Sequence, residues 1–277
     1  NFLVVKSGDT INTGQRTLSF VNTPMLHWPD SMVTYIPEEK ILFSNDAFGQ
    51  HLATSERFDD ELGWSVLKKE AAKYYANIVL PFGKQVEKAL STVSNLDIEL
   101  ICPSHGVVWR SYISNIIGEY KKWANHAAEN RALIVYDSMW QSTEKMAQAL
   151  ENGLSESGIH TTMRNLKANH ISDIMADVLT SKLILLGSPT LNNGLLPTMA
   201  AFISYLTGLK PQNKIGFAFG SYGWGGQAVG ELEKTIDELK WEQPIKGINI
   251  EYVPDPDELS GAIEVGKQLG DLILKSE

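Results

Sequence analysis

The spacing of apolar residues divides the chain into two parts with different patterns. In residues 1–129, alternating apolar and polar residues between Gly, Asp, Asn and Pro turns predict short strands. These strands are Phe2–Val5, Arg16–Val21, Met32–Ile36, Lys40–Phe43 and Glu99–Cys102, and helical spacing predicts helices at Trp64–Leu80, Gly83–Leu96 and Ser111–Ala128. This part is therefore expected to be a mixed layer of strands and helices, with polar residues gathered in the loops at strand ends.

Residues 130–277 follow a stricter pattern, in which apolar strands alternate with amphipathic helices. The predicted strands are Ala132–Tyr136, His160–Asn165, Lys182–Leu186, Lys214–Phe219 and Ile248–Val253. Continuously apolar strands indicate a parallel sheet that is covered by helices on both faces. We expect a flavodoxin-like, doubly wound α/β domain with a five-stranded parallel sheet of order 2-1-3-4-5, preceded by a separate domain at residues 1–129.

Composition narrows the classes of function. The formal net charge of -9 argues against a nucleic-acid partner, because no basic stripe offsets it. Cys102 is the single cysteine, which excludes an internal disulfide and a four-cysteine iron site and is compatible with a reducing cytoplasm. No apolar run approaches the roughly 20 residues that a membrane-spanning helix needs. We therefore expect a cytoplasmic protein.

Three loops at strand ends carry the residues of a flavin site. In doubly wound sheets, ligands bind beyond the carboxyl ends of the strands, near the point where the strand order reverses. The loop at residues 137–143 is rich in hydroxyls and leads into a helix, whose N-terminus favours a phosphate. The loops at 187–194 and 220–226 are rich in glycine, and Tyr222 and Trp224 can stack on a flat ring.

Helix caps and ordinary turns explain any one of these loops equally well, but three such loops at the appropriate strand ends favour a flavin. The chain has no G-x-G-x-x-G and no G-x-x-x-x-G-K motif, which argues against a dinucleotide or ATP. The predicted cofactor-binding residues are Ser138, Met139, Trp140, Gln141, Ser142, Thr143, Ser188, Pro189, Thr190, Leu191, Asn192, Asn193, Gly194, Ser221, Tyr222, Gly223, Trp224 and Gly225.

Longer motifs run through both parts of the chain. They lie at Thr23–Ser31, Phe43–Gly49, Tyr74–Asn77, Pro103–Arg110, Tyr136–Met139 and Phe219–Trp224. Together they resemble the flavodiiron proteins, which reduce dioxygen or nitric oxide. The resemblance implies part of a metallo-β-lactamase-like αβ/βα domain at residues 1–129, followed by a flavodoxin-like FMN-binding domain at residues 130–277.

The same resemblance implies a non-haem diiron site with catalytic metal ligands. Residue by residue, it assigns His27 to one iron, Asp46 to a bridge between the two irons, and His105 to the other iron. The family's further His-x-Glu-x-Asp-His motif is absent from this sequence, so each iron would have only two protein ligands. We therefore expect an incomplete metal site, and we interpret the chain as a fragment that lacks the N-terminal part of its first domain.

Three functions stay open at this point. The first is a flavodiiron oxidoreductase that passes electrons from FMN to iron and reduces dioxygen to water or nitric oxide to nitrous oxide. The second is an FMN electron-transfer module with an inactive metal domain. The third is a metallo-hydrolase with an appended nucleotide-binding domain, but a fused flavin domain argues against it, because a hydrolase needs no electron carrier. The family resemblance also implies a small electron donor such as rubredoxin and a head-to-tail homodimer.

Overall fold

A computed structural model of the chain describes residues 2–275, which form two compact units. The first unit extends to Asn125 and the second begins at His126. No helix within the described residues is long and apolar enough to cross a membrane.

The first unit combines a five-stranded sheet with three helices. Its strands, in sheet order, are β1 (Thr10–Asn12), β2 (Thr17–Asn22), β3 (Met32–Ile36), β4 (Ile41–Asn45) and β5 (Leu100–Pro103), and its helices are α1 (Trp64–Tyr74), α2 (Gly83–Val93) and α3 (Ile113–Ala124). Strands β1 to β4 pair antiparallel, whereas β5 pairs parallel to β4. As a result β2, β4 and β5 run in the same direction, and their carboxyl ends lie at one edge of the sheet.

The strand predicted at Phe2–Val5 is wrong. This segment lies outside the strands, and the side chains of Phe2, Leu3 and Val4 are exposed. The first strand begins at Thr10 instead, where the chain pairs with β2. Residues 2–5 pair with no strand in the described part of the chain, and an apolar pattern without a partner does not form a sheet.

The helix predicted at Trp64–Leu80 is interrupted. The α-helical segment α1 ends at Tyr74, and a π-helical turn continues from Tyr75 to Val79. Such turns insert one extra residue into the helical ladder and re-aim the side chains around it. Here the rings of Tyr74 and Tyr75 are both buried, although each hydroxyl lacks a hydrogen-bond partner.

The second unit is a parallel sheet covered by helices. Its strands are β6 (Glu129–Tyr136), β7 (His160–Asn165), β8 (Ser181–Gly187), β9 (Ile215–Tyr222) and β10 (Ile248–Glu251), and its helices are α4 (Ser142–Glu156), α5 (Ile171–Thr180), α6 (Pro197–Leu209), α7 (Gln227–Glu238) and α8 (Pro256–Leu274). The order β10-β9-β8-β6-β7 confirms the predicted flavodoxin-like order 2-1-3-4-5. The strand order reverses between β6 and β8, so the loops after these strands border the switch point.

Helices α4 and α8 pack closely at a pair of glycines. A Cβ atom placed on Gly153 would meet the carbonyl oxygen of Ile263 and lie 2.9 Å from the Cα of Gly266. A Cβ atom on Gly266 would in turn meet the carbonyl oxygen of Leu150. The two helices therefore approach backbone to backbone, and neither position has room for a side chain.

Substitution Gly153→Ala is expected to destabilise the protein. Alanine normally favours a helix, but the added methyl group must displace the backbone of α8, so we expect the free energy of unfolding to fall by about 1–3 kcal/mol. Gly230→Ala is the matched control, because a Cβ atom on that glycine of α7 meets nothing within 4 Å. The control should raise stability by about 0.5–1 kcal/mol. Urea unfolding curves of both variants would measure the difference, and equal effects would contradict the close packing.

Candidate cofactor and metal sites

The carboxyl ends of the parallel-running strands in the first unit bring three predicted metal ligands together. His27 lies in the connection from β2 to β3, Asp46 directly follows β4, and His105 follows β5. The Asp46 carboxylate is buried, and its two oxygens face different imidazoles. Oδ2 lies 3.5 Å from Nε2 of His27, and Oδ1 lies 3.3 Å from Nε2 of His105. This is the arrangement that a carboxylate bridging two metal ions requires.

The donor chemistry fits iron, because imidazole nitrogen and carboxylate oxygen are common ligands of non-haem iron. The two imidazoles, however, contact opposite oxygens of Asp46 and do not share one metal position. Among residues 2–275, no group of three or more His, Cys, Asp or Glu side chains forms a metal-binding cluster. Among residues 2–275, His27, Asp46 and His105 therefore offer two imidazoles and one carboxylate to metal ions.

Two further side chains, which were not predicted as site residues, border this group. The ring of His51 contacts His105 edge-on with a centroid separation of 5.4 Å, and it contacts Tyr74 at 4.8 Å. Burial lowers the pKa of His51, and the neighbouring His105 lowers it further. Burial also raises the pKa of the Tyr74 phenol. Tyr74 therefore keeps its proton at neutral pH, and its buried hydroxyl has a donor with no partner.

Gln50 connects the two loops that carry Asp46 and His105. It is fully buried, its Nε2 donates to the Phe48 carbonyl at 2.8 Å, and its Oε1 accepts from the Val107 backbone N–H at 2.8 Å. The Gln50 backbone N–H donates to the His105 carbonyl at 3.1 Å. The amide thus satisfies loop backbone that is out of reach of water. The sequence offered one signal, since Gln50 directly follows the Phe43–Gly49 motif.

In the second unit, a cavity of about 620 Å³ lies beyond the carboxyl ends of the strands. Most of the predicted cofactor-binding residues line it, namely Ser138, Met139, Trp140, Ser142, Pro189, Thr190, Leu191, Asn192, Asn193, Ser221, Tyr222, Gly223 and Trp224. The predicted residues Gln141, Thr143, Ser188, Gly194 and Gly225 do not line it. The cavity is within the range of roughly 300–1,000 Å³ that ligand pockets occupy.

Hydrogen bonds join the three predicted loops around the cavity. The Oγ1 atom of Thr143 lies 3.0 Å from Oγ of Ser221, which connects the first loop to the third. The Thr190 backbone N–H donates to the Ser221 carbonyl at 2.9 Å, which connects the second loop to the third. Thr143 and Ser221 are buried, so both hydroxyls are used in the support of the loops.

The cavity is lined by both aromatic rings and hydroxyl groups. Trp140 and Trp224 on its rim are 87% and 82% exposed, which leaves large apolar rings without cover. The Oγ atom of Ser138, in the first loop, is buried without a hydrogen-bond partner among the described residues. A buried hydroxyl of this kind normally has a partner, so its position next to the helix N-terminus of α4 is consistent with a bound anion.

A fourth loop, which the sequence analysis missed, completes the wall. Tyr252 and Val253 follow β10 and line the cavity, and both side chains are more than half exposed. The Tyr252 backbone N–H donates to the Tyr222 carbonyl at 2.6 Å, which fixes this loop next to the third one. The signal available in the sequence was the position of Tyr252 at the end of a predicted parallel strand.

Comparisons with known proteins match both units. The model of the flavodoxin family matches residues 134–266, and the model of the ODP family beta lactamases matches residues 2–106. The nitric oxide reductase of Moorella thermoacetica is 44% identical over 272 residues, which are 97% of this chain and 68% of that protein. The rubredoxin-oxygen oxidoreductase of Megalodesulfovibrio gigas is 42% identical over 91% of this chain and 63% of its own length.

The crystal structure of the flavodiiron protein from Giardia intestinalis superposes on 98% of this chain with a TM-score of 0.96 and 37% sequence identity. This chain covers 68% of that structure. The chain belongs to the flavodiiron protein family. For a flavodiiron protein, the flavodoxin domain implies FMN and the metal domain implies iron.

Substitution Gln50→Ala is expected to loosen the loops of the metal site. The Val107 N–H would lose its acceptor in a buried position, which costs about 1–3 kcal/mol of local stability. Hydrogen-exchange mass spectrometry should therefore show faster exchange in residues 104–109 of this flavodiiron protein. Gln85→Ala on the half-buried face of α2 is the control and should leave that segment unchanged. Unchanged exchange in the Gln50 variant would mean that the amide does not hold the two loops together.

Proposed function

We propose that this chain supplies the FMN domain and three iron ligands of a flavodiiron oxidoreductase, in which electrons pass from FMN to a non-haem diiron centre and reduce dioxygen to water or nitric oxide to nitrous oxide. The observation that carries the proposal is the Asp46 carboxylate between His27 and His105, in a chain that also has a flavin-sized cavity. A hydrolase does not need a bound flavin, because hydrolysis transfers no electrons. The names of the Moorella and Megalodesulfovibrio relatives support both gaseous substrates.

The residues of the second unit would bind and orient FMN. Ser138, Ser142 and the N-terminal backbone of α4 would hold the phosphate, and the rings of Trp140, Tyr222 and Trp224 would cover the flavin. In the first unit, His27, Asp46 and His105 would hold iron. When bound, FMN supplies one- and two-electron transfer, and iron supplies the binding and reduction of the gas. The protein contributes position, exclusion of water and electrostatics.

Partners and location follow the same proposal. The name of the rubredoxin-oxygen oxidoreductase supports a small iron–sulfur protein such as rubredoxin as the electron donor. The head-to-tail homodimer is proposed on the family resemblance, and the cytoplasmic location on the single cysteine, which is compatible with a reducing compartment. Sedimentation of the purified chain would test the dimer directly.

A second function is favoured by one observation. Residues 2–275 contain no cluster of three or more metal-binding side chains, so this chain can bind FMN and carry electrons without holding iron tightly. In that case the first unit is inactive as a metal site, and the chain is an FMN electron-transfer module.

One experiment separates the two functions. The purified chain is supplied with FMN and ferrous iron, reduced without air, and mixed with limiting dioxygen or nitric oxide. If the chain is the oxidoreductase, it should consume dioxygen without releasing hydrogen peroxide, and it should convert nitric oxide to nitrous oxide. The variant Asp46→Asn should lose the peroxide-free oxygen consumption and the formation of nitrous oxide, while FMN stays bound. Release of peroxide that Asp46→Asn does not change would reject the oxidoreductase for this chain and support the electron-transfer module.

Substitution Ser138→Ala tests the phosphate end of the FMN site. Because the Ser138 hydroxyl has no hydrogen-bond partner within residues 2–275, its removal should leave the stability of the FMN-free protein unchanged or slightly higher. Loss of a hydrogen bond to the phosphate should weaken FMN binding by about tenfold. Quenching of flavin fluorescence would measure the affinity.

The matched control for this prediction is Ser188→Ala. The Ser188 hydroxyl accepts from the Leu196 backbone N–H at 3.1 Å, so its loss should lower stability. If Ser138→Ala binds FMN as tightly as the unaltered chain, Ser138 does not contact the cofactor.

A further inference from the structure

A buried carboxylate lies at the start of the turn that is proposed to hold the FMN phosphate. Asp137 directly follows β6 and is only 1% exposed. Its Oδ1 accepts from the Ser138 backbone N–H at 2.6 Å, and its own N–H donates to the Gly187 carbonyl at 3.1 Å. The carboxylate thus fixes the start of the turn. It also puts a negative charge next to a site for an anion.

Two side chains from other elements contact this carboxylate. Thr198, in the first turn of α6, donates its hydroxyl to Oδ2 of Asp137. Lys167, in the connection from β7 to α5, places Nζ 3.1 Å from Oδ1 of Asp137. The same ammonium donates to the Ser138 carbonyl at 2.5 Å. One cation therefore contacts both the buried acid and the backbone of the turn.

This cation lies among negatively charged groups around the turn. Glu144 lies in the first turn of α4 and pairs with the hydroxyl of Tyr136 at 3.1 Å, so the turn is bordered by two carboxylates. A bound phosphate would add more negative charge. Without Lys167, the buried Asp137 carboxylate would repel the phosphate through a medium that screens charge less than water does.

We propose that Lys167 and Thr198 are positioning residues of the FMN site, which neutralise and orient Asp137 so that the turn at residues 137–142 accepts a phosphate. This inference rests on the proposed binding of FMN. It adds a cause for the selectivity for FMN over riboflavin, which lacks the phosphate. The selectivity depends on the ion pair between Lys167 and Asp137 beside the turn, and Lys167 does not bind the phosphate itself.

The test compares FMN with riboflavin on the full chain after removal of flavin. Lys167→Met should weaken FMN binding by about tenfold, the effect expected of one uncompensated charge beside a partly solvated turn. Riboflavin binding should change by less than about twofold, because no phosphate is present to be repelled. Lys167→Arg keeps the charge and should retain the FMN affinity.

The decisive variant is Asp137→Asn combined with Lys167→Met. The Asn amide oxygen can still accept from the Ser138 N–H, and its amide group can donate to the Thr198 hydroxyl. The double variant should therefore recover the FMN affinity that Lys167→Met loses, which is a coupling that a double-mutant cycle measures. Lys234→Met, at an exposed lysine of α7 paired with Glu238, is the control for loss of one positive charge and should not affect either flavin.

Three results of these flavin-binding measurements would contradict the proposal, and each has a different meaning. Equal weakening of FMN and riboflavin by Lys167→Met would show that Lys167 only stabilises the loop. Selective weakening of FMN that Asp137→Asn does not rescue would show that Lys167 binds the phosphate itself. Failure of the unaltered chain to bind either flavin would reject the proposed function and not only this inference. Thermal melting of each flavin-free variant checks that the chain remains folded.

Discussion

Strands that run in the same direction bring their carboxyl ends to one edge of a sheet, and both units of this protein place their polar loops at such an edge. In the second unit all five strands are parallel, so the loops after β6, β8, β9 and β10 meet around one cavity. In the first unit the mixed pairing has the same effect, because β2, β4 and β5 share a direction. His27, Asp46 and His105 come from three distant segments and depend on that shared direction.

Polar loops at a sheet edge need internal support, because buried backbone and buried charge are costly without partners. In each unit a buried polar side chain contributes to this support by joining neighbouring segments. Gln50 does so in the first unit through its amide, which both donates and accepts. Asp137 does so in the second unit through its carboxylate, which requires a cation as well. The side chain that supports the proposed phosphate site is therefore itself an acid, and the Lys167 ammonium lies 3.1 Å from it.

The sheet order and most of the cavity were predictable from the sequence, because both follow from local patterns. Strand periodicity identifies the parallel sheet, and the switch-point rule then identifies the loops after β6, β8 and β9. Tyr252 also ends a predicted parallel strand, but the switch-point rule did not select its loop, because β10 lies at the edge of the sheet. Gln50 was missed for a different reason. Its role appears only when the loop after β5 packs next to the loop after β4.

The strand at Phe2–Val5 was predicted wrongly for a related reason: a strand is defined by its neighbour, and local alternation does not show whether a neighbour exists. The three metal ligands were predicted from the resemblance to the flavodiiron family. Composition and spacing alone left zinc and iron chemistry open, because imidazole and carboxylate serve both metals.

The most direct test of the central claim is the absorption spectrum of the purified chain together with its ratio of iron to flavin. The account predicts flavin absorption bands from bound FMN, and iron in an amount that falls when Asp46 is replaced by Asn. A chain that binds no FMN when the cofactor is supplied in excess would contradict the account, because the cavity beyond β6, β8, β9 and β10 would then serve another ligand.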